Sequence, residues 1–578
     1  MAIDNASNVT SATSLMNVFT FGYVDYAVFV GLLGVSASIG LYFGFFSKAS
    51  KTTDEYLHGG KRMKTFPIAI SLVASQLSGI AIMSIPAEVY SYGINYIFTI
   101  LSIFLVVPVL CEIAIPVFYE NNISNCYEYL QRRFNRTTRQ IITVLFILTT
   151  LLNLPVYIFI PSLAFAQVTG HNIHMINAIV CSICVFYTML GGVKAVVWTD
   201  VVQALVMVGS VILVAVMGVH AVGGLGKLVE NSIAGGRLQP NFEFDLSTRS
   251  TVWNALAGSF CMWSSYVGFN QSCVQRIVAL PSLSHAKKSL YMFQVGFLII
   301  MVLNVFTGII IFAKYFDCDP IAMKVVEKAD KIVPYFVEDV VGHLYGMPGV
   351  FISCVFSASL STVSANLNSL SGIIYFDCFK SYINHSEFKA NLVMKICVVV
   401  IGAYCVMGGI IVEQFKSILQ VVYTIAGISH GVVFGVFTVG LLVPRVNGKA
   451  ALIGLILSTI AMLVICGGAQ LEINSGNLSY DPLPVSTHGC DQLNTTSKFP
   501  TELLTMEKRD GQSFSIFRIS FYWYAVLGSG FIWFTSILLS FILPSSSDEK
   551  LDPKLVSPIV RSLVSNSNTQ AEEVPLKS

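Results

Sequence analysis

The sequence predicts an all-α polytopic membrane protein with about 13 transmembrane helices, on three observations. Hydrophobic residues make up 54% of the 578 positions and charged residues only 11%, against about a quarter charged in soluble domains. Mean hydropathy is +0.71. The apolar residues also gather into long runs, each at or near the roughly 20 residues that a helix needs to cross the hydrocarbon core.

In chain order the runs lie near 21–46, 66–92, 96–119, 140–168, 174–190, 199–221, 251–269, 290–313, 347–377, 392–412, 417–443, 449–467 and 521–543. The connections near 222–250, 314–346 and 468–520 are too short for an independent enzyme core. Gly223-Gly224-Leu225-Gly226-Lys227 lacks the Walker spacing and reads as a flexible loop. ATP hydrolysis, an enzymatic role, a cofactor and a nucleic-acid partner are therefore not expected; the lipid bilayer is.

Lys and Arg set the expected orientation. Lys48, Lys51, Lys61, Arg62 and Lys64 follow the first span, Arg132, Arg133, Arg136 and Arg139 the third, and Arg276, Lys287 and Lys288 the seventh. These loops should be cytoplasmic. Residues 1–20 are then extracellular, and the polar tail 544–578 is a cytoplasmic segment expected to be disordered. No cleavable signal peptide is evident, so the first span is expected to stay as an anchor. Candidate glycosylation sites on the outer side are Asn5, Asn8, Asn477 and Asn494, and their presence favours the plasma membrane. Most of the 13 cysteines fall within spans, where a thiol packs as a small hydrophobe. Cys318 and Cys490 lie in outer loops exposed to oxidising conditions, where a disulfide between them is expected.

Three polar patches interrupt the apolar runs. Residues 357–369 are dense in hydroxyls and amides yet uncharged; in hydrocarbon such groups must face protein, water or an ion. Ser361 and Thr362 are adjacent, and the Ala358 carbonyl sits one turn earlier. Their three neutral oxygens suit a monovalent cation, although close helix packing through small residues explains the run equally well. Ser71–Gly79 in the second span and Trp263–Gln271 in the seventh form the other two patches. Two interrupted helices five spans apart are the pattern of a carrier built from inverted repeats.

Tyr187-Thr188-Met189-Leu190-Gly191-Gly192-Val193-Lys194-Ala195-Val196-Val197-Trp198-Thr199-Asp200, Asn270-Gln271-Ser272-Cys273-Val274-Gln275-Arg276 and Leu360-Ser361-Thr362-Val363-Ser364 resemble the signatures of the sodium/solute symporter family. Tyr127–Leu130, Pro155 with Gln167–Gly170, Cys318–Pro320 and Phe521–Tyr524 are similar to its branch of sodium-coupled monocarboxylate, multivitamin and iodide carriers.

The resemblance implies a LeuT-type 5+5 inverted repeat: repeats at 66–221 and 251–443, one extra helix before (21–46) and two after (449–543, with an extracellular loop at 468–520). It implies sodium as coupling ion, held by carbonyls of Ala74, Leu77 and Ala358 and hydroxyls of Ser361 and Thr362, with Asp200 near the sodium exit path. Gln76, Ser78, Phe159, Trp263 and Ser264 become candidate substrate residues. Two departures stand out. Ala81 replaces a polar residue of relatives, which argues against a second sodium or an iodide there. His430 stands mid-span where relatives look small and neutral, a candidate substrate contact or an interhelical hydrogen bond. Arg276, in a basic loop, reads as a topology marker or lipid contact.

The expected activity is sodium-coupled symport of a small organic anion by alternating access. A short monocarboxylate such as lactate or pyruvate and a vitamin such as biotin or pantothenate both remain open as cargo. A sodium-dependent channel and a transport-incompetent sensor or scaffold are the alternatives.

Overall fold

The computed structural model describes residues 21–46, 56–57, 59–123, 125–380, 386–414, 418–492, 515–543 and 551–564. Ten helices among them are long and apolar enough to cross a membrane, and the bent pair Thr65–Gln76 and Gly79–Tyr92 makes an eleventh span. One of the ten, Ile173–Val222, has 50 residues, about 75 Å at 1.5 Å per residue, which is more than two hydrocarbon cores. It turns at Gly192, whose φ of 55° and ψ of −153° leave the helical region. A Cβ at Gly192 would also come within 2.7 Å of the Tyr56 ring and carbonyl, so only glycine accommodates this corner. The long helix is therefore two crossings. Val252–Gly268 has 17 residues and resumes after a short break as Gln271–Ile277. With these the described residues hold the 13 spans the sequence predicts, and no strand.

The polar run lies at the centre. Helix Met347–Ile374 buries Ser353 through Ile373 without a gap, and its neighbours include Tyr23–Leu41, Arg136–Thr169 and both parts of Ile173–Val222. The physical reason is that hydroxyls and amides facing lipid tails would lack partners. Apolar helices take the perimeter: in Glu387–Val412, Val400 and Ile411 are 61% and 64% exposed, as lipid-facing side chains are.

On the face predicted to be extracellular, Cys318 is bonded to Cys490 with Cα atoms 5.1 Å apart. Arg237 is fully buried beside them. It donates to the carbonyls of Tyr90, Gly235, Leu483 and Pro484 and lies 3.9 Å over the Phe312 ring. Burial pushes its pKa down to about 10. Arg249 grips Glu88 with two bonds of 2.9 and 2.7 Å; burial alone would lower its pKa, but the facing carboxylate wins and raises it. Asn477 is exposed in the turn after helix Gly448–Asn474, while Asn5, Asn8 and Asn494 lie outside the described residues.

One expectation needs correcting on the opposite face. Composition marks 544–578 as disordered, yet residues 551–564 pack against the helix ends, with Val556 and Ser557 fully buried and Leu555 and Val564 nearly so. Apolar side chains in an otherwise polar tail supply the burial that orders this stretch.

Candidate functional site

The first break follows from local geometry. Leu77 and Ser78 both adopt extended backbone, with φ/ψ of −95°/91° and −83°/168°, and the two half-helices meet at a 56° bend. Carbonyls in the last turn of Thr65–Gln76, that of Ala74 among them, have no next turn to bond. Gly79 begins the second half because it touches the central helix: a Cβ there would lie 2.5 Å from Ser359 Oγ. Its amide instead donates to that Oγ over 3.2 Å.

Facing the break are Ala358, Ser361 and Thr362, all at most 2% exposed. Thr362 Oγ1 lies 3.0 Å from the Ser75 carbonyl and 3.1 Å from that of Ala358, within donating reach of both. This contact sets the helix end that carries Ala74 and Leu77, whose carbonyls the family resemblance implies as ligands, against the Ala358–Thr362 turn. Every oxygen in the set is neutral, and a weakly held hard cation fits that chemistry.

Asp200 organises the next layer. Its carboxylate accepts Ser361 Oγ at 2.6 Å and Ser71 Oγ at 2.6 Å, and it pairs with Arg276 Nη2 at 3.2 Å. Arg276 Nη1 donates to Ser75 Oγ. The reading of Arg276 as a topology marker or lipid contact is thus overturned: its side chain is 2% exposed, because the half-helix Gln271–Ile277 dips back beneath the first break. No periodicity of a seven-residue helix could have placed it there. The available signal was the Asn270–Arg276 motif itself.

The second break is at Phe269 and Asn270. The Asn270 side chain caps the following half-helix by accepting from the Ser272 amide and hydroxyl, both at 2.9 Å. Beside it is a cavity of about 30 Å³ lined by Asn153, Tyr157, Ser265, Asn270, Asn366 and His430, among others. His430 Nδ1 lies 3.2 Å from Ser265 Oγ, and its ring centroid is 5.0 Å from that of Tyr266.

Of the six substrate candidates, His430 is the one that lines this cavity. Gln76 Nε2 donates to Cys273 Sγ at 2.6 Å, joining the two broken helices. Ser78 is the residue before the second half-helix. Phe159 is buried near Gly409. Trp263 packs its ring on Phe297 at 4.9 Å. The indole N–H of Trp263, the hydroxyl of Ser264 and Oε1 of Gln76 are buried without a partner among the described residues, each a polar atom left open close to a break.

A model of the sodium:solute symporter family matches residues 56–458. The chain belongs to the sodium:solute symporter family. Among curated proteins this symporter is 34% identical over 547 residues to sodium-coupled monocarboxylate transporter 2 of Mus musculus, covering 94% of this chain and 88% of that one. It is 34% identical over 558 residues to sodium-coupled monocarboxylate transporter 1 of Homo sapiens, at 93% and 90% coverage. To the human sodium/iodide cotransporter it is 31% identical over 528 residues, at 88% and 82%. A solved structure of a Na+-coupled sialic acid symporter superposes with a TM-score of 0.74, covering 92% of this chain and all of that one at 23% identity, which establishes the LeuT-type fold. The symporter is a multi-pass membrane carrier coupled to sodium, not an enzyme.

Proposed function

We propose that the protein imports a short monocarboxylate together with sodium across the plasma membrane, N-terminus outside and C-terminus inside. The observation that carries this reading is the pairing of the first helix break with the Ala358–Thr362 turn through the Thr362–Ser75 contact. Carbonyls of Ala74, Leu77 and Ala358 and hydroxyls of Ser361 and Thr362 would bind sodium, and the bound ion would tie the first broken helix to the central helix. Sodium and solute then bind cooperatively, because each favours the same arrangement of the repeats. A negative interior drives the ion inward by roughly 2.3 kcal/mol per charge per 100 mV.

Two features support a short acid over a vitamin. The cavity at the second break, about 30 Å³, has no Asp, Glu, Lys or Arg in its lining; on this scale a single water needs roughly 10–15 Å³, so only a ligand of few heavy atoms fits without rearrangement. Its neutral dipoles and the His430 ring would meet one negative charge softly enough to let it go. The sodium-coupled monocarboxylate transporters among the relatives agree with this class. Outside the cavity, the free donors of Trp263 and Ser264 would guide the acid toward the break.

The deciding experiment is radiolabelled uptake of lactate, pyruvate, propionate, biotin, pantothenate and iodide, with sodium and with choline in its place. Sodium-dependent uptake of the short acids is expected. Uptake of none, or equal uptake in choline, would sink the proposal.

A further inference from the structure

Residues 551–564 are docked on the predicted cytoplasmic face by bonds to both repeats. Asn121 Nδ2 donates to the Lys554 carbonyl at 2.8 Å and the Tyr129 hydroxyl to the Leu555 carbonyl at 3.0 Å. The Ser557 amide donates to the Leu441 carbonyl at 2.9 Å. Arg561 pairs with Glu120 at 2.8 Å. Asn121, Tyr129 and Glu120 belong to the first half of the fold and Leu441 to the second, so the segment bridges parts that alternating access must move against each other.

The bridge also reaches the second helix break. The Tyr129 ring stacks on Phe437 with centroids 5.7 Å apart and planes 18° from parallel. Phe437 stacks in turn on Phe269, at 4.5 Å and 13°, and Phe269 is the break residue beside the cavity. A side chain whose hydroxyl holds the segment thus continues, ring on ring, into the point where the substrate helix is interrupted.

We propose that 551–564 is a latch: docked, it stabilises the arrangement in which the predicted inner side is closed, and the Tyr129–Phe437–Phe269 stack couples its docking to the second break. Here the Asp200–Arg276 layer is buried beneath the sodium residues, so this arrangement is also the one that holds sodium best. By reciprocity, whatever factor the docked latch adds to sodium affinity, sodium adds to docking. The direction of the sodium effect rests on the proposed function; the docking does not.

The test uses the full-length protein. Val556→Asp should expel the segment. Tyr129→Phe removes only the hydroxyl bond and keeps the ring, which guards against a folding defect. Each should raise the half-saturating external sodium concentration for uptake, by about threefold or more for Val556→Asp, and Phe437→Leu should abolish the further effect of Tyr129→Phe. In purified Ser557→Cys protein, maleimide labelling should be slower than at the exposed native Cys378, and slower in sodium than in choline. Wild-type uptake that depends on sodium, with an unchanged sodium requirement in both variants, would overturn the latch, as would Ser557→Cys labelling as fast as Cys378. Loss of sodium dependence in the wild type would instead defeat the functional reading.

Discussion

Arg276 reaches Asp200 across 3.2 Å with neither side chain more than 2% exposed, and this pair joins the second broken helix to the helix that follows the Gly192 corner. Through Ser75 and Ser71 on the first half-helix and Ser361 on the central helix it touches both elements that carry the residues proposed to hold sodium. A buried charge stripped of its partner costs far more than the pair is worth intact. Arg276→Met should therefore destabilise the protein by about 3–5 kcal/mol, whereas Arg276→Met combined with Asp200→Asn should lose much less. Thermal unfolding of the purified variants in detergent compares them directly; equal losses would mean the charges are not coupled.

Ser361→Ala and Thr362→Ala should both raise the sodium concentration needed for uptake. They should differ in kind. Ser361→Ala also takes a donor from Asp200, so its effect should shrink in an Asp200→Asn background, while that of Thr362→Ala should persist. A sodium titration of uptake in the four variants decides this, and an unchanged titration for both hydroxyl deletions refutes the assignment.

Gly79→Ala places a methyl 2.5 Å from Ser359 Oγ. Either that hydroxyl rotates and abandons the Gly79 amide, or the half-helix shifts. A loss of about 1–3 kcal/mol is expected for such overpacking, with reduced uptake. Adding Ser359→Ala should return part of the stability, because it removes the clashing oxygen; no recovery would place the strain elsewhere.

His430→Ala should raise the KM for a short monocarboxylate by about tenfold, as expected for one lost hydrogen bond in a buried site, with the sodium requirement little changed. His430→Gln should do less harm. If KM stays constant in both variants, His430 only bonds Ser265 between helices.

Much of this architecture was legible because membranes impose strong patterns. The lengths of the apolar runs set the spans, and the uncharged polar patch at 357–369 had nowhere to go but inward. The second-span break could be anticipated from Ser71–Gly79, since polar residues and a glycine at mid-membrane make an unwound turn cheap. Arg276 was misread because a cation after a span is ordinarily a marker of the cytoplasmic side, and the return of its half-helix into the protein is a tertiary event. The docked stretch at 551–564 was hidden by averaging: Leu555, Val556 and Val564 are few among polar neighbours, and their burial depends on a groove built from distant helix ends. His430 was identified as unusual for its position, but its neighbours Ser265 and Tyr266 could be named only once helices 252–268 and 418–442 were side by side.

The link between Cys318 and Cys490 spans 172 positions of sequence. As the chain is synthesised, Cys318 emerges four membrane spans before its partner exists, and it waits as a free thiol while those four insert. Closure of this roof, on the face proposed to be extracellular, is consequently a late event in biogenesis. A chain truncated after helix Met347–Ile374 would carry that unpaired thiol on the face proposed to be lumenal, a ready mark by which the secretory pathway could tell unfinished copies from complete ones.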